Sequence, residues 1–283
     1  MPHTKNHRPL PLNISIVSYS EPFEQLMLTI TSLARALTKI KDVGLIKNFE
    51  VMVVDNRDDA TVSQEAMEKF LNDEIGYRFD FTVIHGHGNV GYGRGHNLAL
   101  NIEQQGYHLF LNPDVEIDED ALLYGLYFLN EHPLVGLVSP YATDNNGHKQ
   151  YLCKRYPRVF NLLVRGFMPR WIKKLNESGE SNYEMHDLSE NEPTVGIPIA
   201  SGCFMLCRNS VIAEIGGFDP GYFLYFEDFD FSIRLNEVSK IAYLPDMKIK
   251  HMGGNAAKKG LFHISLFIGS GIRFFSRHGW VWF

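Results

Sequence analysis

Phe49-Glu50-Val51-Met52-Val53-Val54-Asp55 is an apolar run that stops on an aspartate. A strand apolar on both faces belongs inside a parallel sheet, where helices cover both sides. The neighbouring segments repeat the theme. Residues 12–18 (LNISIVS) read as a strand rich in β-branched side chains, and 23–38 as a helix with Leu26, Ile30, Leu33 and Leu37 on one face. Further along, 61–72 reads as a helix, 79–85 as a strand, about 95–105 as a helix, 107–112 as a strand, 119–130 as a helix and 135–141 as a fifth strand. This alternation predicts an α/β fold, a Rossmann-like doubly wound, mainly parallel sheet with helices on both faces.

The pattern breaks after about residue 142. Residues 156–193 read as a long loop or helical insertion carrying Arg158, Arg165, Arg170, Lys173 and Lys174. A strand is expected over 198–207, and a short helix through Ile215 capped by Asn209. Gly216-Gly217-Phe218-Asp219-Pro220 is turn chemistry. Two short strands (241–244 and 247–251) and a helix (261–275) complete the chain.

Bulk composition narrows the function. With 283 residues and 45% hydrophobic content, a sizeable core can form. A net charge of -6 argues against a nucleic-acid partner, which calls for a basic surplus. Cys153, Cys203 and Cys207 have neither C-x-x-C nor metal-type spacing, so free thiols in a reducing cytoplasm are expected. Residues 1–11 lack the apolar core of a leader, and no segment is apolar for long enough to span a bilayer. A cytoplasmic protein is the expectation.

Four groups stand at predicted strand ends: Ser18-Tyr19, Asp55-Asn56, Asn112-Pro113-Asp114 and the glycine loop after residue 85. Any one of them reads equally as a cap or turn. Together they line the carboxyl edge of a parallel sheet, where nucleotides bind. Gly86-His87-Gly88-Asn89-Val90-Gly91 matches G-x-G-x-x-G, but it follows the third strand; a dinucleotide fingerprint belongs after the first. A dehydrogenase is therefore not the reading. Asp114 suits a hard divalent cation, and His251, beside Gly253 and Gly254, could join it.

Tyr225-Phe226-Glu227-Asp228-Phe229-Asp230 sets three carboxylates among aromatic residues. An acidic helix start with Arg234 paired to Asp230 is one explanation; a general base in a partly dry cleft is the other.

The landmarks 17–19, 53–56, 89–97, 111–114, 201–205, 216–219, 226–230 and His251 together resemble family 2 glycosyltransferases of the GT-A fold, in the rhamnosyltransferase-like branch. The resemblance implies that Ser18, Tyr19, Asp55 and Asn56 hold the nucleoside. Asn89, Gly91, Arg94 and Asn97 would line the nucleotide-sugar side, and Gly202 and Cys203 would floor the sugar pocket. Asp114 and His251 would bind Mg²⁺ or Mn²⁺. Asp228 would be the catalytic base, with Glu227 and Asp230 orienting the acceptor or the helix. Asn112 stands where the family's metal motif has its first acid, which weakens the expected metal site. Residues 236–240 lack the family's usual glycine, read as loop variation.

The resemblance also implies a dTDP- or UDP-linked donor, dTDP-L-rhamnose first and a UDP-N-acetylhexosamine second. The acceptor would be a glycan or lipid-linked glycan of bacterial cell-surface polysaccharide or O-antigen synthesis. Residues 1–255 would form the catalytic domain (12–141 the nucleotide half, 142–255 the acceptor half), with 256–283 a C-terminal helical segment. That segment is either packed on the core or laid on the cytoplasmic face of the inner membrane. A sugar-nucleotide nucleotidyltransferase would need a basic glycine loop after the first strand, which Ser18–Pro22 is not. An inactive sugar-nucleotide sensor would not need Asp114, Asp228 and His251 together.

Overall fold

The computed structural model describes residues 8–57, 62–70, 72, 81–100, 105–167, 177–253 and 260–282. Strands are β1 (Leu10–Ser18), β2 (Ile46–Asp55), β3 (Phe81–Ile84), β4 (Tyr107–Leu111), β5 (Val115–Ile117), β6 (Val135–Thr143), β7 (Lys149–Gln150), β8 (Cys153–Lys154), β9 (Thr194–Val195), β10 (Ile199–Ala200), β11 (Phe204–Arg208) and β12 (Lys240–His251). Helices are α1 (Phe23–Asp42), α2 (Gln64–Phe70), α3 (Tyr92–Leu98), α4 (Ala121–Glu131), α5 (Val159–Phe167), α6 (Glu177–Tyr183), α7 (Asn209–Ile215), α8 (Glu227–Val238) and α9 (Leu261–His278).

The main sheet runs β3-β2-β1-β4-β11-β6-β12-β5. β3, β2, β1 and β4 are parallel, as the βα alternation requires. β11 then enters antiparallel between β4 and β6, and β5 closes the far edge antiparallel to β12. Sequence reading places β6 as a simple fifth strand; the structure moves it one position out. Residues 198–207 are not one strand. β10 pairs with β8 in a small second sheet, and residues 201–203 turn before β11. The two short strands expected over 241–251 are one continuous β12, whose register against β6 shifts between Leu244 and Lys248.

Alternate residues of β4 show how one strand serves two cores. Tyr107, Leu109 and Leu111 pack with α1 and α4 on one face. Phe110 packs with Phe218, Phe231 and Met205 on the other. On that second face Ser15 Oγ lies 2.7 Å from His96 Nδ1 and 2.8 Å from His108 Nε2. The hydroxyl donates to one ring and accepts the N–H of the other. Burial holds both imidazoles neutral, with His108 pushed down to about 3. This bridge ties α3 to the sheet beneath the glycine loop.

Sequence reading assigns 86–95 to a glycine-rich loop and starts α3 at about Gly95, since glycine is costly within a helix; the structure begins the helix three residues earlier. It starts at Tyr92 because packing demands the glycines. A Cβ on Gly93 would lie 2.9 Å from Phe218 Cβ, and one on Gly95 2.9 Å from Val17 Cγ1. The helix ends at Leu98, short of the expected 105, and Ala99 and Leu100 are no longer helical; residues 101–104 lie outside the described residues, as do Thr61, 79–80, Arg170, Lys173 and Lys174. Asn209 does not cap α7; Arg208 precedes the helix without a side-chain cap, and Asn209 Nδ2 donates to Gln105 O at 3.2 Å.

Candidate active site

The order of the parallel strands reverses between β1 and β4, so a crevice opens at their carboxyl ends. Ser18 and Asp55 end β1 and β2 side by side, both fully buried. Asp55 Oδ1 accepts from Arg57 Nε at 3.0 Å and Oδ2 from the Val62 N–H at 3.2 Å. Arg57 Nη2 donates to Ser18 Oγ at 2.7 Å. Arg57 therefore joins the two nucleoside candidates. Sequence reading passed over it, although a basic residue two places after a strand-ending acid is the available signal. Tyr19 is exposed, and its N–H donates to Glu21 Oε2 at 3.1 Å.

The glycine loop folds over this edge. Asn56 Nδ2 donates to Gly91 O at 3.0 Å, and Asn89 Oδ1 accepts the Gly91 N–H at 3.0 Å. Gly91 has φ +88, and a Cβ there would overlap Phe223 O, which accepts the Tyr92 N–H at 3.1 Å. The donor-side loop thus touches the segment that leads into Glu227. Asn97 uses both polar atoms on the Phe218 backbone, and exposed Arg94 donates to Pro220 O at 2.6 Å. Both brace the 216–221 turn. His87, a second residue that sequence reading left without a role, has both ring nitrogens shielded and unpartnered.

Asp114 immediately precedes β5, opposite the end of β12; the Met252 N–H donates to Asp114 O at 2.8 Å. His251 Nε2 lies 3.5 Å from Asp114 Oδ1. Gln150 Nε2 donates to His251 O at 3.0 Å, which turns Gln150 Oε1 toward His251 Nδ1 at 2.8 Å. Nδ1 therefore carries the proton, and in the neutral ring Nε2 faces Asp114 with a lone pair. Asp114 Oδ1 is buried without a hydrogen-bond partner, as is Asn112 Oδ1. A Cβ on Gly253 would overlap Asp114 Oδ2 and lie 3.1 Å from His251 Nε2. An orphaned carboxylate oxygen, an oriented imidazole and a glycine-lined gap fit a hard divalent cation. Among the described residues no group of three or more His, Cys, Asp or Glu side chains gathers to hold one, so other ligands would have to come from substrate and water.

Glu227 and Asp228 begin α8 behind Tyr225 and Phe226, which hold left-handed φ values of 71° and 65°. Two consecutive non-glycine residues in that region store strain that the surroundings must hold. Asp228 Oδ2 accepts the Gly202 N–H at 3.0 Å, and Oδ1 accepts the Phe229 N–H at 3.0 Å. Glu227 is buried, and its Oε2 has no partner. Burial raises both acids, and the Asp228 charge raises Glu227 further. Adjacent buried carboxyls resist double ionisation. The two N–H donors favour the charge on Asp228, which leaves Glu227 protonated. Asp230 is fully buried and turned to the C-terminal helix: Arg234 Nε donates to Oδ2 at 2.7 Å, and His278 Nε2 lies 2.8 Å from Oδ1. The expected Arg234 pair forms.

Gly202 connects the two acid sites. Tyr92 Oη donates to Gly202 O at 2.5 Å, and Asn112 N–H donates to Cys203 O at 2.9 Å. Burial pushes the Cys203 thiol up to about 12, with the charges of both Asp114 and Asp228 adding to the rise. All three cysteines are free and buried.

This layout, an acid-bearing crevice at the switch point of a mixed α/β sheet, is that of the GT-A glycosyltransferases. The model of glycosyl transferase family 2 matches residues 14–216, and the chain belongs to that family of enzymes. It is 26% identical over 214 residues to the rhamnosyltransferase WbbL of Escherichia coli, covering 72% of this chain and 73% of that protein. It is likewise 26% identical to the N-acetylglucosaminyl-diphospho-decaprenol L-rhamnosyltransferase of Mycobacterium tuberculosis, covering 71% of this chain and 66% of the relative. Among solved structures, GalNAc-T7 with UDP, GalNAc and Mn²⁺ superposes with a TM-score of 0.63 at 14% identity, covering 96% of this chain and 48% of that one. The mannosyltransferase PcManGT of Pyrobaculum calidifontis, with GDP-Man and Mn²⁺, gives 0.57 at 16% identity, over 94% and 65% of the two chains.

Proposed function

We propose that the chain is an inverting transferase that moves L-rhamnose from dTDP-L-rhamnose to a hydroxyl of a glycan or lipid-linked glycan. Its setting would be bacterial cell-surface polysaccharide synthesis on the cytoplasmic side of the inner membrane. The observation that carries the reading is the Asp228 carboxylate, tethered by the Gly202 and Phe229 N–H groups, with the neighbouring Cys203 O accepting the Asn112 N–H two residues before Asp114. The similarity to two rhamnosyltransferases supports the donor sugar, and the decaprenol-linked substrate of one of them supports the acceptor class.

In this scheme residues 12–141 hold the donor. Ser18, Tyr19, Asp55 and Asn56 meet the nucleoside, with Arg57 between them. Asn89, Gly91 and Arg94 border the sugar nucleotide, Asn97 fixes the turn beside it, and Gly202 and Cys203 floor the pocket. Residues 142–255 present the acceptor. Asp114 and His251 would hold Mg²⁺ or Mn²⁺, which when bound offsets negative charge on the departing diphosphate.

Asp228 takes the acceptor proton while the acceptor oxygen bonds to the anomeric carbon on the face opposite the diphosphate. The bond from that carbon to the phosphate oxygen breaks, and the nucleoside diphosphate leaves with its electron pair. Proton removal of this kind contributes about 10²–10⁴-fold. Protonated Glu227 keeps a second negative charge out of the cleft.

The test is nucleotide release from a donor panel with and without Mn²⁺. Release of dTDP from dTDP-L-rhamnose that depends on Mn²⁺ is expected. Release of UDP alone from UDP-N-acetylglucosamine would reassign the donor, and release from no donor with any acceptor would overturn the reading.

A further inference from the structure

α9 has two faces with different duties. The inner face holds the strained turn before Glu227. Ser270 Oγ donates to Leu224 O at 2.8 Å, Gly271 lets the Phe226 ring approach, and Phe226 packs on Phe267 and Phe274 at centroid distances of 5.0 and 5.3 Å. At the helix end, Arg273 Nη2 donates to Asp219 Oδ2 at 3.0 Å, Arg277 reaches the same carboxylate, and His278 meets Asp230.

Among the described residues the outer face has no such partners. Leu261, Ile264, Ile268 and Ile272 recur every three or four residues and are 85%, 37%, 46% and 53% exposed. Phe262 is exposed beside them. The chain then turns, and Trp280 and Trp282 stack at 5.5 Å while both stay well exposed. Backbone bonds from the Val159 N–H to Val281 O at 2.9 Å and from the Phe160 N–H to Trp282 O at 3.2 Å join this segment to α5. The result is an exposed apolar and aromatic surface on the helix whose opposite face holds the turn before Glu227.

Charge selects the occupant. Residues 156–176 contain five basic and no acidic side chains, and residues 256–283 contain four basic and none acidic, in a protein of net charge -6. Of these, Arg158 is exposed beside the segment that joins α5 to Val281, and Arg273 and Arg277 stay nearly half exposed while they pair with Asp219; a second copy packed here across a twofold axis would set like charges against each other. An anionic lipid surface would attract them, and tryptophans favour the water–lipid boundary. None of the described helices is long and apolar enough to cross a membrane, which suits a helix lying in the interface.

We propose that the outer face of α9, with Trp280–Trp282, docks on an anionic lipid bilayer and so brings the turn that carries Asp228 to the membrane surface. The surface stands on the helix itself; only its use, delivery of a lipid-linked acceptor, rests on the transferase reading.

Flotation of the full chain tests it, and needs neither donor nor acceptor. Vesicles containing phosphatidylglycerol should carry the protein at low salt, and vesicles of phosphatidylcholine alone should carry far less. Ile264→Gln/Ile268→Gln/Ile272→Gln should lower partitioning at least ~10-fold, with unchanged circular dichroism and donor hydrolysis. Leu261→Gln/Phe262→Gln, at the exposed start of the helix, is the second variant should the first misfold, with the same loss expected. No flotation on anionic vesicles would overturn the proposal. So would equal flotation of the folded variants, or a dimer in sedimentation equilibrium that the triple variant dissolves. Failure of donor release with flotation intact would strike the transferase reading and leave the docking surface standing.

Discussion

Gly253→Ala places one methyl group in the gap between Asp114 and His251. The added Cβ would overlap Asp114 Oδ2 and come within 3.1 Å of Asp114 Cγ and His251 Nε2. Gly253 has no left-handed φ, so alanine brings no backbone strain. It trims unfolded-state entropy by about 0.4–1 kcal/mol, which offsets part of the cost of displacing the Asp114 carboxylate. Thermal stability without metal should stay within about 1 kcal/mol of the parent. The cation site should not survive so well. Disturbing the groups that aim a metal ligand typically costs about 10–100-fold in affinity, and here the methyl displaces the ligand carboxylate itself. Free Mn²⁺ counted by electron paramagnetic resonance, with dTDP present, should give a dissociation constant at least ~10-fold higher, a loss of about 1.4 kcal/mol. The Mn²⁺ needed for half-maximal donor hydrolysis should rise in parallel. A folded Gly253→Ala protein that binds Mn²⁺ as tightly as the parent would refute the assignment of the ion to Asp114 and His251.

Glu227→Gln tests the charge assignment through stability. The folded pKa of Glu227 is raised, so its stabilising contribution is complete below the unfolded value near 4.5 and is lost as pH rises toward the folded value. The glutamine variant should match the parent near pH 4.5 and exceed it progressively toward pH 8, by about 2–4 °C in Tm for each kcal/mol; a constant difference across that range would remove the protonated Glu227. Asp230→Ala leaves the Arg234 guanidinium and His278 facing a buried vacancy. Urea denaturation should reveal a loss of about 3 kcal/mol, and a loss under 1 kcal/mol would mean that the cluster does not anchor α9.

The parallel half of the sheet was readable because its signals are local. Strands β1 and β2 are apolar runs that end on Ser18 and Asp55, β4 is one that Asn112 follows, and short-range pattern suffices to find them. The antiparallel insertion of β11 was not readable. Phe204–Arg208 is an apolar run whose composition carries no direction, and its place between β4 and β6 depends on contacts with strands far off in the chain, such as Leu206 with Leu109 and with Val138. β5 is three residues long and leaves no periodicity to detect. At the site, residue types were legible and their partners were not. The acidic run announces Glu227, Asp228 and Asp230, yet only the fold separates them: Asp228 lies beneath Gly202 and Asp230 against α9. Arg57 and the Gln150 support of His251 escaped notice because each acts through a neighbour that is distant in the chain or formed by a turn. Residues 254–259, with Lys258 and Lys259, lie outside the described residues.

Asp228→Asn offers the sharpest trial of the central claim, because the amide keeps the shape of the side chain while removing its basicity. The measurement pairs single-turnover sugar transfer with calorimetric donor binding in the same preparation. The account expects transfer to fall by about 10²–10⁴-fold while the donor dissociation constant holds within about twofold. Near-parental transfer by a folded Asp228→Asn enzyme would contradict it.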